Sequence, residues 1–183
     1  MESTTLKEEE LLWDQLEKIL KEYNRTESQE TRQNLFLVLR NNDHFEIIAK
    51  CADGDKISSA FVFAGDENHV EILQAFLDHG INVDVKDQIS NTALIEASAY
   101  GHEESVRLLL NHNANPDIQN KSGWTALMHA CWYENNGIVQ LLLDHNADID
   151  LKNSKGKTAL DLAQTEQIKE MIQNHVNTSY VLK

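Results

Sequence analysis

Apolar residues in the middle of the chain recur at the spacing of helices that bury one face. Val106, Leu109 and Leu110 form an i, i+3, i+4 stripe, and such positions lie side by side on an α-helix. Shortly before them, Leu94 and Ala97 lie three residues apart on another predicted helix. A mainly polar stretch separates the two stripes, so the pattern predicts a pair of short helices joined by a turn.

This helix pair recurs along the chain with a period of 33 residues. Copies 1 to 4, as we number them, begin at Ser58, Asn91, Trp124 and Lys157, and the last is shortened. Thr92, Thr125 and Thr158 open copies 2 to 4 as predicted N-caps, and Gly80, Asn113 and Asn146, which tolerate a left-handed backbone, follow the second helices of copies 1 to 3. A single pair cannot bury its apolar face, so the copies must stack on one another.

Copies 2 and 3, with the stretches TALIEASAYGHEESVRLLLNHNA and TALMHACWYENNGIVQLLLDHNA, resemble ankyrin repeats, and the resemblance extends over about residues 54–176. It implies an all-α, ankyrin-type helical repeat solenoid of about four repeats. Some residues depart from the family pattern: Ser90 and Ile57 occupy positions where a turn glycine is usual, and Glu134 and Asn135 replace the usual Gly-His. We expect these departures to weaken individual turns without changing the architecture.

The flanking segments predict caps at the ends of this stack. Residues 1–32 contain an amphipathic helix and a polar connector, and residues 33–56 have the pattern of a degenerate repeat or an N-terminal capping helix pair. Residues 57–178 hold the repeats with a shortened C-terminal cap repeat, and residues 179–183 form a tail. We expect the N-terminal helix to pack over the first repeat; the alternative is that it binds a partner or self-associates.

The charge of the chain argues against a nucleic-acid ligand. Thirty acidic and 16 basic residues give a net charge of −14, which repels phosphates and attracts basic proteins. The residues after Met1 are polar and acidic, so we expect no signal peptide, and no apolar run approaches the roughly 18 residues of a membrane span. Cys51 and Cys131 lie far apart, which favours a reducing compartment. We therefore expect a cytoplasmic protein that binds neither nucleic acid nor membrane.

Residues that could carry chemistry do not form a recognisable site. His79, His112 and His145 recur at the repeat period, but stacked copies lie roughly 10 Å apart, whereas zinc needs nitrogens about 2 Å from itself. We expect these histidines to bond to the loop backbone, and Cys131 to be buried and inert. Cys51 and His44 lack a motif and an orienting third group. The prediction is no catalytic residue, no metal and no cofactor.

Variable positions of the copies are candidates for partner contact. In ankyrin-like stacks the loop tips and the ends of the first helices form the concave surface that usually contacts partners. Large aromatic residues occupy these positions here, and such rings are the commonest hot spots of interfaces. The alternative for Trp132 is that it packs between repeats. The predicted partner-binding residues are Trp124, Trp132, Tyr133, Tyr100, Asp66, Glu67, Ile89, Asn91 and Lys157.

These features predict a non-catalytic protein–protein interaction module that binds through the concave face of the stack. One form is an acidic inhibitor or immunity-type protein that masks a basic toxin or nuclease, and another is an adaptor or effector. In either form the partner is expected to present a basic patch. The alternative is an enzyme or a partner-specific activity located in residues 1–56.

Overall fold

The computed structural model describes residues 54–78 and 80–181, and within these ranges every regular element is an α-helix. The predicted amphipathic helix and residues 33–53 of the predicted capping helix pair lie outside the described residues, as do His44, Cys51 and His79. The first described helix begins at Gly54, three residues before the predicted start of the repeats.

Within the described ranges, eight helices form four antiparallel pairs, as the period predicts. In chain order they are α1 Gly54–Asp66, α2 Val70–Asp78, α3 Ala93–Tyr100, α4 Glu103–Asn111, α5 Ala126–Trp132, α6 Asn136–Asp144, α7 Ala159–Leu162 and α8 Glu166–Val181. The first helices of consecutive pairs stack on one another, and so do the second helices. The result is a two-layered helical repeat solenoid, which confirms the predicted fold class.

Threonine side chains begin the first helices of copies 2 to 4, as predicted. The hydroxyl of Thr92 accepts a hydrogen bond from the backbone N–H of Ile95, and Thr125 and Thr158 make the equivalent bonds. Asp161 also accepts a bond from the Thr158 backbone, which completes a capping box. Each such cap contributes about 1 kcal/mol of stability, so the repeated threonine fixes where each copy begins.

A continuous apolar core runs between the two layers. Leu94 and Leu127 are buried at equivalent positions of copies 2 and 3, and Ala97 and Ala130 are fully buried three residues later. Alanine at this point lets neighbouring helices approach closely. Gly65 of α1 lies even closer to the neighbouring helix α3, because a Cβ atom on Gly65 would lie 2.9 Å from the Cα of Ala93. The predicted core positions are thus confirmed.

Turns at equivalent positions keep a left-handed backbone even where glycine is missing. Gly80, Asn113 and Asn146 follow the second helices with φ between 58° and 79°, as predicted. Ser90 has φ 65° where copies 2 and 3 have Gly123 and Gly156. Glu134 has φ 61° where copy 2 has Gly101. The architecture therefore tolerates these substitutions, at the cost of strain in the two turns.

The recurring histidines bond to helix carbonyls. Nδ1 of His112 lies 2.9 Å from the carbonyl oxygen of Leu108, and Nδ1 of His145 lies 2.9 Å from that of Leu141. Backbone bonding was predicted, but the partner is the helix four residues earlier and not the loop, because the ring folds back over the last helical turn. Cys131 is buried as predicted, and burial raises the pKa of its thiol to about 12.

Backbone hydrogen bonds join the loops of neighbouring copies into a continuous strip. The N–H of Lys121 donates to the carbonyl of Ile89 at 3.2 Å, and the N–H of Ser154 donates to the carbonyl of Ser122 at 3.0 Å. Successive loop tips are therefore held beside one another. Among the described helices, none has the length and apolar character needed to cross a bilayer.

Candidate partner-binding surface

Three large aromatic side chains are exposed at the ends of two neighbouring first helices. Tyr100 at the end of α3 is 64% exposed, and Trp132 and Tyr133 at the end of α5 are 45% and 56% exposed. The sequence prediction that these positions point outward agrees with the structure. Trp132 is not packed away between the copies, as the alternative required.

Helix geometry explains why these rings point away from the core. Ala130 is fully buried, and a residue two positions later lies about 200° further round an α-helix, so Trp132 faces the opposite side. Tyr133 follows α5 as its C-cap, and its backbone N–H donates to the carbonyl of His129 at 3.0 Å. The left-handed turn at Glu134 then reverses the chain, which leaves both rings at the rim of the copy.

Four rings of copy 3 form one aromatic cluster, which comprises Trp124, His129, Trp132 and Tyr133. The rings of Trp124 and Trp132 meet edge to face, with centroids 6.1 Å apart. His129 lies between Trp124, at 4.8 Å, and Tyr133, whose ring is stacked on it at 6.3 Å with an angle of 8°. These contacts hold the exposed rings in defined orientations. Each aromatic pair stabilises the arrangement by about 0.5–1.5 kcal/mol.

Trp124 is less exposed than its loop position suggested. Its side chain is partly buried and packs against the core, and its backbone N–H donates to Oδ1 of Asn120 at 3.0 Å. The prediction that all four large aromatics point outward therefore needs correction for this residue. Its ring contacts the rings of His129 and Trp132, and only part of its area is exposed.

His129 was not identified from the sequence, and it is the least satisfied polar group of the cluster. Both ring nitrogens are buried, and neither hydrogen-bonds to any residue that the structure describes. Burial lowers the pKa of the imidazole to about 4, so the ring is neutral near pH 7. A buried polar atom without a partner costs about 1–3 kcal/mol. The position of His129 varies between copies, with Phe63, Glu96 and Leu162 as its equivalents. This variation could have marked His129 as a candidate from the sequence.

Asn91 is the predicted contact residue that the structure contradicts. Only 7% of it is exposed. Its Nδ2 donates to Glu96, its Oδ1 accepts from Nδ2 of Asn120 at 2.8 Å, and its backbone N–H donates to Asp87 at 2.8 Å. Asn91 therefore positions two neighbouring loops from the inside, and its assignment as an outward contact residue was wrong.

Carboxylates surround Tyr100 at the end of the surface nearer the N-terminus. The pKa of Tyr100 is raised, chiefly by the negative charge of Asp66, with partial burial, Glu96, Tyr133 and Glu67 acting in the same direction. Burial raises the pKa of Glu96, and Asp66 again adds to the effect, while the bond from Asn91 opposes it. The predicted residues Asp66 and Glu67 thus belong to a region of negative potential beside Tyr100.

The other predicted residues, Lys157 and Ile89, lie on the loop strip. Lys157 is exposed and occupies the position of Trp124 one copy later. Hydrogen bonds from Thr158 lower the pKa of Asp161, and the positive charges of Lys157 and Lys152 act in the same direction. Ile89 is 56% exposed at the loop tip of copy 1. We call one surface the binding face. It is formed by Tyr100, the exposed rings of the aromatic cluster, and the flanking residues Asp66, Glu67, Ile89 and Lys157.

Hydrogen bonds between copies hold the binding face in register. Nε2 of His102 lies 2.7 Å from the carbonyl oxygen of Asp66, and Nδ2 of Asn135, the equivalent residue of the next copy, donates to the carbonyl of Ser98 at 3.0 Å. Asn135, which occupies the position of His102 one copy later, therefore also bonds to the copy before it. In the described ranges, no three His, Cys, Asp or Glu side chains gather in a way that would hold a metal ion.

Comparison with known families agrees with this geometry. Residues 59–106 and 94–143 each match the family model described as ankyrin repeats (many copies). Together the two matches contain Tyr100 and the whole aromatic cluster. No curated protein matches the chain.

Proposed function

Because this chain belongs to the ankyrin-repeat family, we propose that it binds another protein through the binding face and acts by occupying the partner's surface, without catalysis. Ankyrin repeats generally mediate protein–protein interaction. Members of the family are typically non-catalytic. The proposal assigns that general role to particular side chains of this chain.

The exposure of Tyr100, Trp132 and Tyr133 on one face is the observation that carries the proposal. The core positions of the same helices are fully buried, whereas these three rings are exposed and do not contribute to the core. Tryptophan and tyrosine bury a large area on binding and lose little conformational entropy, which makes them frequent hot spots. Three such rings on neighbouring copies supply the centre of an interface.

The finer proposal concerns the partner, which we infer to be a protein with a basic patch. Support comes from the net charge of −14 and from the negative potential of Asp66, Glu67 and Glu96 beside Tyr100. Like charges opposed across an interface are unfavourable, so an acidic partner is disfavoured there. An inhibitor or immunity-type protein that masks a basic protein fits this charge better than an adaptor of unspecified charge. The alternative activity in residues 1–56 stays a prediction.

Capture of the partner on the immobilised chain, followed by affinity measurements on variants, tests the proposal. Trp132→Ala and Tyr133→Ala each remove one exposed ring and are expected to weaken binding at least about tenfold, which corresponds to 1.4 kcal/mol. Their melting temperatures should stay within a few degrees of the parent, because neither ring fills the core.

Asn111→Ala is the matched control, since Asn111 is exposed on the second-helix layer away from the binding face. It should leave affinity unchanged. Equal affinity for the parent chain and both ring variants would overturn the proposal. Unfolding of Trp132→Ala would show instead that this ring is part of the core.

A further inference from the structure

The side-chain carboxamide of Asn91 forms a bridge between two other side chains. Nδ2 of Asn120 donates to Oδ1 of Asn91 at 2.8 Å, and Nδ2 of Asn91 donates in turn to Glu96. Oδ1 of Asn120 accepts from the backbone N–H groups of Ser122 and Trp124, which fixes the orientation of its amide. The Asn91 carboxamide therefore links a donor in the next loop to an acceptor on α3.

One copy later, the groups on either side of this bridge recur without the bridge. The equivalents of Asn120, Glu96 and Asn91 are Asn153, His129 and Trp124, respectively. Oδ1 of Asn153 accepts from the backbone N–H groups of its own loop, as in the copy before, so its Nδ2 points in the equivalent direction. The indole of Trp124 can donate a hydrogen bond but cannot accept one, so it cannot replace the carboxamide.

The flanking groups are consequently buried without partners. Asn153 is only 5% exposed, and its Nδ2 bonds to no residue that the structure describes. The same holds for both ring nitrogens of His129, whose ring centroid lies 4.8 Å from that of Trp124. A neutral imidazole has one donor and one acceptor nitrogen. Buried polar groups are nearly always hydrogen-bonded, so these two side chains indicate a place for a polar group next to the indole ring.

We propose that Trp124 covers a subsite for a carboxamide, and that the partner fills it with an asparagine or glutamine side chain when the indole ring turns aside. The oxygen of that side chain accepts from Nδ2 of Asn153, and its nitrogen donates to the imidazole of His129. Trp124 is only partly buried and lies in the loop before α5, so rotation of its side chain leaves the helices in place. This inference rests on the proposed function and adds one residue type to the partner.

The flanking groups favour a carboxamide over other side chains. An ammonium or guanidinium group has no acceptor for Nδ2 of Asn153. A carboxylate cannot donate to the imidazole, and it loses solvation in a buried place. A hydroxyl group holds its donor and its acceptor on one atom, whereas in copy 2 the separate oxygen and nitrogen of Asn91 reach both flanking side chains.

Substitution of Trp124 tests the subsite within the chain itself. In Trp124→Asn the new carboxamide bridges Asn153 and His129 from within, whereas Trp124→Ala removes the ring and leaves both groups without partners. Trp124→Asn should therefore melt roughly 2–4 °C above Trp124→Ala, the shift that one hydrogen bond gives in a chain of this size. Equal melting temperatures would overturn the subsite.

Asn153→Asp removes the donor of the subsite and keeps the loop. Asp87, the equivalent residue two copies earlier, accepts from the N–H groups of Ile89 and Asn91 in the same way, so aspartate suits this turn. When Asn153→Asp is added to Trp124→Asn and to Trp124→Ala, the difference between their melting temperatures should disappear. A difference that persists would show that Asn153 does not bind the carboxamide, which would overturn the assignment.

Phage-displayed random 12-residue peptides, selected on the immobilised full chain, test the partner's side of the contact. Peptides that bind the parent chain but not the double variant Trp132→Ala and Tyr133→Ala are ring-dependent, and they should share an Asn or Gln. Asn153→Asp should weaken their binding at least about tenfold, because the carboxamide oxygen then loses its donor. Replacing the shared Asn or Gln of the peptide with Ala should cause a similar loss.

Asn115→Asp is the matched control, because it makes the same change of side chain and charge outside the binding face. Oδ1 of Asn115 accepts from the N–H of Asp117 at 3.0 Å, and the equivalent Asp148 makes the same bond in the next copy. This variant should leave the affinity of the peptides unchanged. Equal losses in Asn115→Asp and Asn153→Asp would assign the effect to added negative charge and overturn the subsite.

The outcomes separate this inference from the proposed function. Ring-dependent peptides that share no Asn or Gln, or whose affinity Asn153→Asp does not change, would overturn the subsite while the proposed function survives. Failure to obtain any ring-dependent peptide would overturn both.

Discussion

Replacing His129 with leucine should make the chain more resistant to acid. Leucine occupies the equivalent position in copy 4, so the fold accepts it there. In the folded chain, burial lowers the pKa of His129 from 6.5 to about 4. One pKa unit corresponds to about 1.4 kcal/mol, so the full linkage amounts to about 3 kcal/mol.

The direction follows from proton binding in the two states. Between pH 6.5 and 4 the unfolded chain binds a proton on His129 that the folded chain does not. The stability contributed by the neutral ring is therefore fully present above about pH 6.5 and is lost as pH falls to about 4. Glu96 acts in the opposite sense, because its raised pKa gives stability at low pH that is lost as pH rises through its folded pKa. Glu96 is present in parent and variant, so its contribution cancels in their difference.

Urea unfolding followed by far-UV circular dichroism measures the effect. The advantage of His129→Leu over the parent should be about 2.5 kcal/mol larger at pH 4.5 than at pH 7.5, from the linkage relation. His129→Phe, which copies the residue of copy 1, should show the same dependence on pH, because both variants lack the imidazole. A difference between parent and variants that stays constant over this range would refute the reasoning and show that the ring titrates normally in the folded chain.

Further predictions concern the turns and the N-terminal segment. Glu134→Gly should raise the unfolding free energy by up to about 1 kcal/mol in urea titrations, because relief of the left-handed strain exceeds the added freedom of the unfolded chain. Gly123→Ala should cost more than Gly156→Ala in the same assay, since only the former places a Cβ atom 2.9 Å from the backbone of Asn153. In size-exclusion chromatography, deletion of residues 1–56 should cause aggregation, and a monodisperse fragment would argue against a cap before the first repeat.

The repeat period was enough to predict a stack of helix pairs, because equivalent positions have the same structural role in each copy. Thr125 caps a helix, and so do the threonines 33 positions before and after it. Leu94 and Leu127 are buried in the core, and Leu160 packs against it. Agreement between independent copies separates a structural requirement from chance in a single sequence. Deviations such as Ser90 were also placed correctly, since the backbone there follows its neighbours.

The binding face was predicted less completely, because variation between copies does not reveal burial. Asn91 varies between copies, yet it is buried and bonds to its neighbours within the loops. Trp124 varies too, yet its side chain is partly buried and its ring contacts that of Trp132. His129 was overlooked because the burial of its unpartnered nitrogens beside the rings of Trp124 and Tyr133 is a property that no single position encodes. Such features depend on the side chains that surround a position, which a one-dimensional alignment of copies does not contain.

Several departures from the low-energy repeat pattern lie in copy 3, and they support its proposed role. His129 buries two unpartnered nitrogens, and Glu134 adopts a backbone that favours glycine. Trp132 and Tyr133 leave large apolar rings in contact with water. Each feature lowers stability or solubility, while the other copies show that phenylalanine, leucine or glycine fits the same positions. Local costs that the fold does not require are expected where a surface is shaped for binding, because the interaction recovered there offsets them. Copy 3 is therefore the part of the stack where stabilising substitutions such as His129→Leu should be examined first for a loss of affinity.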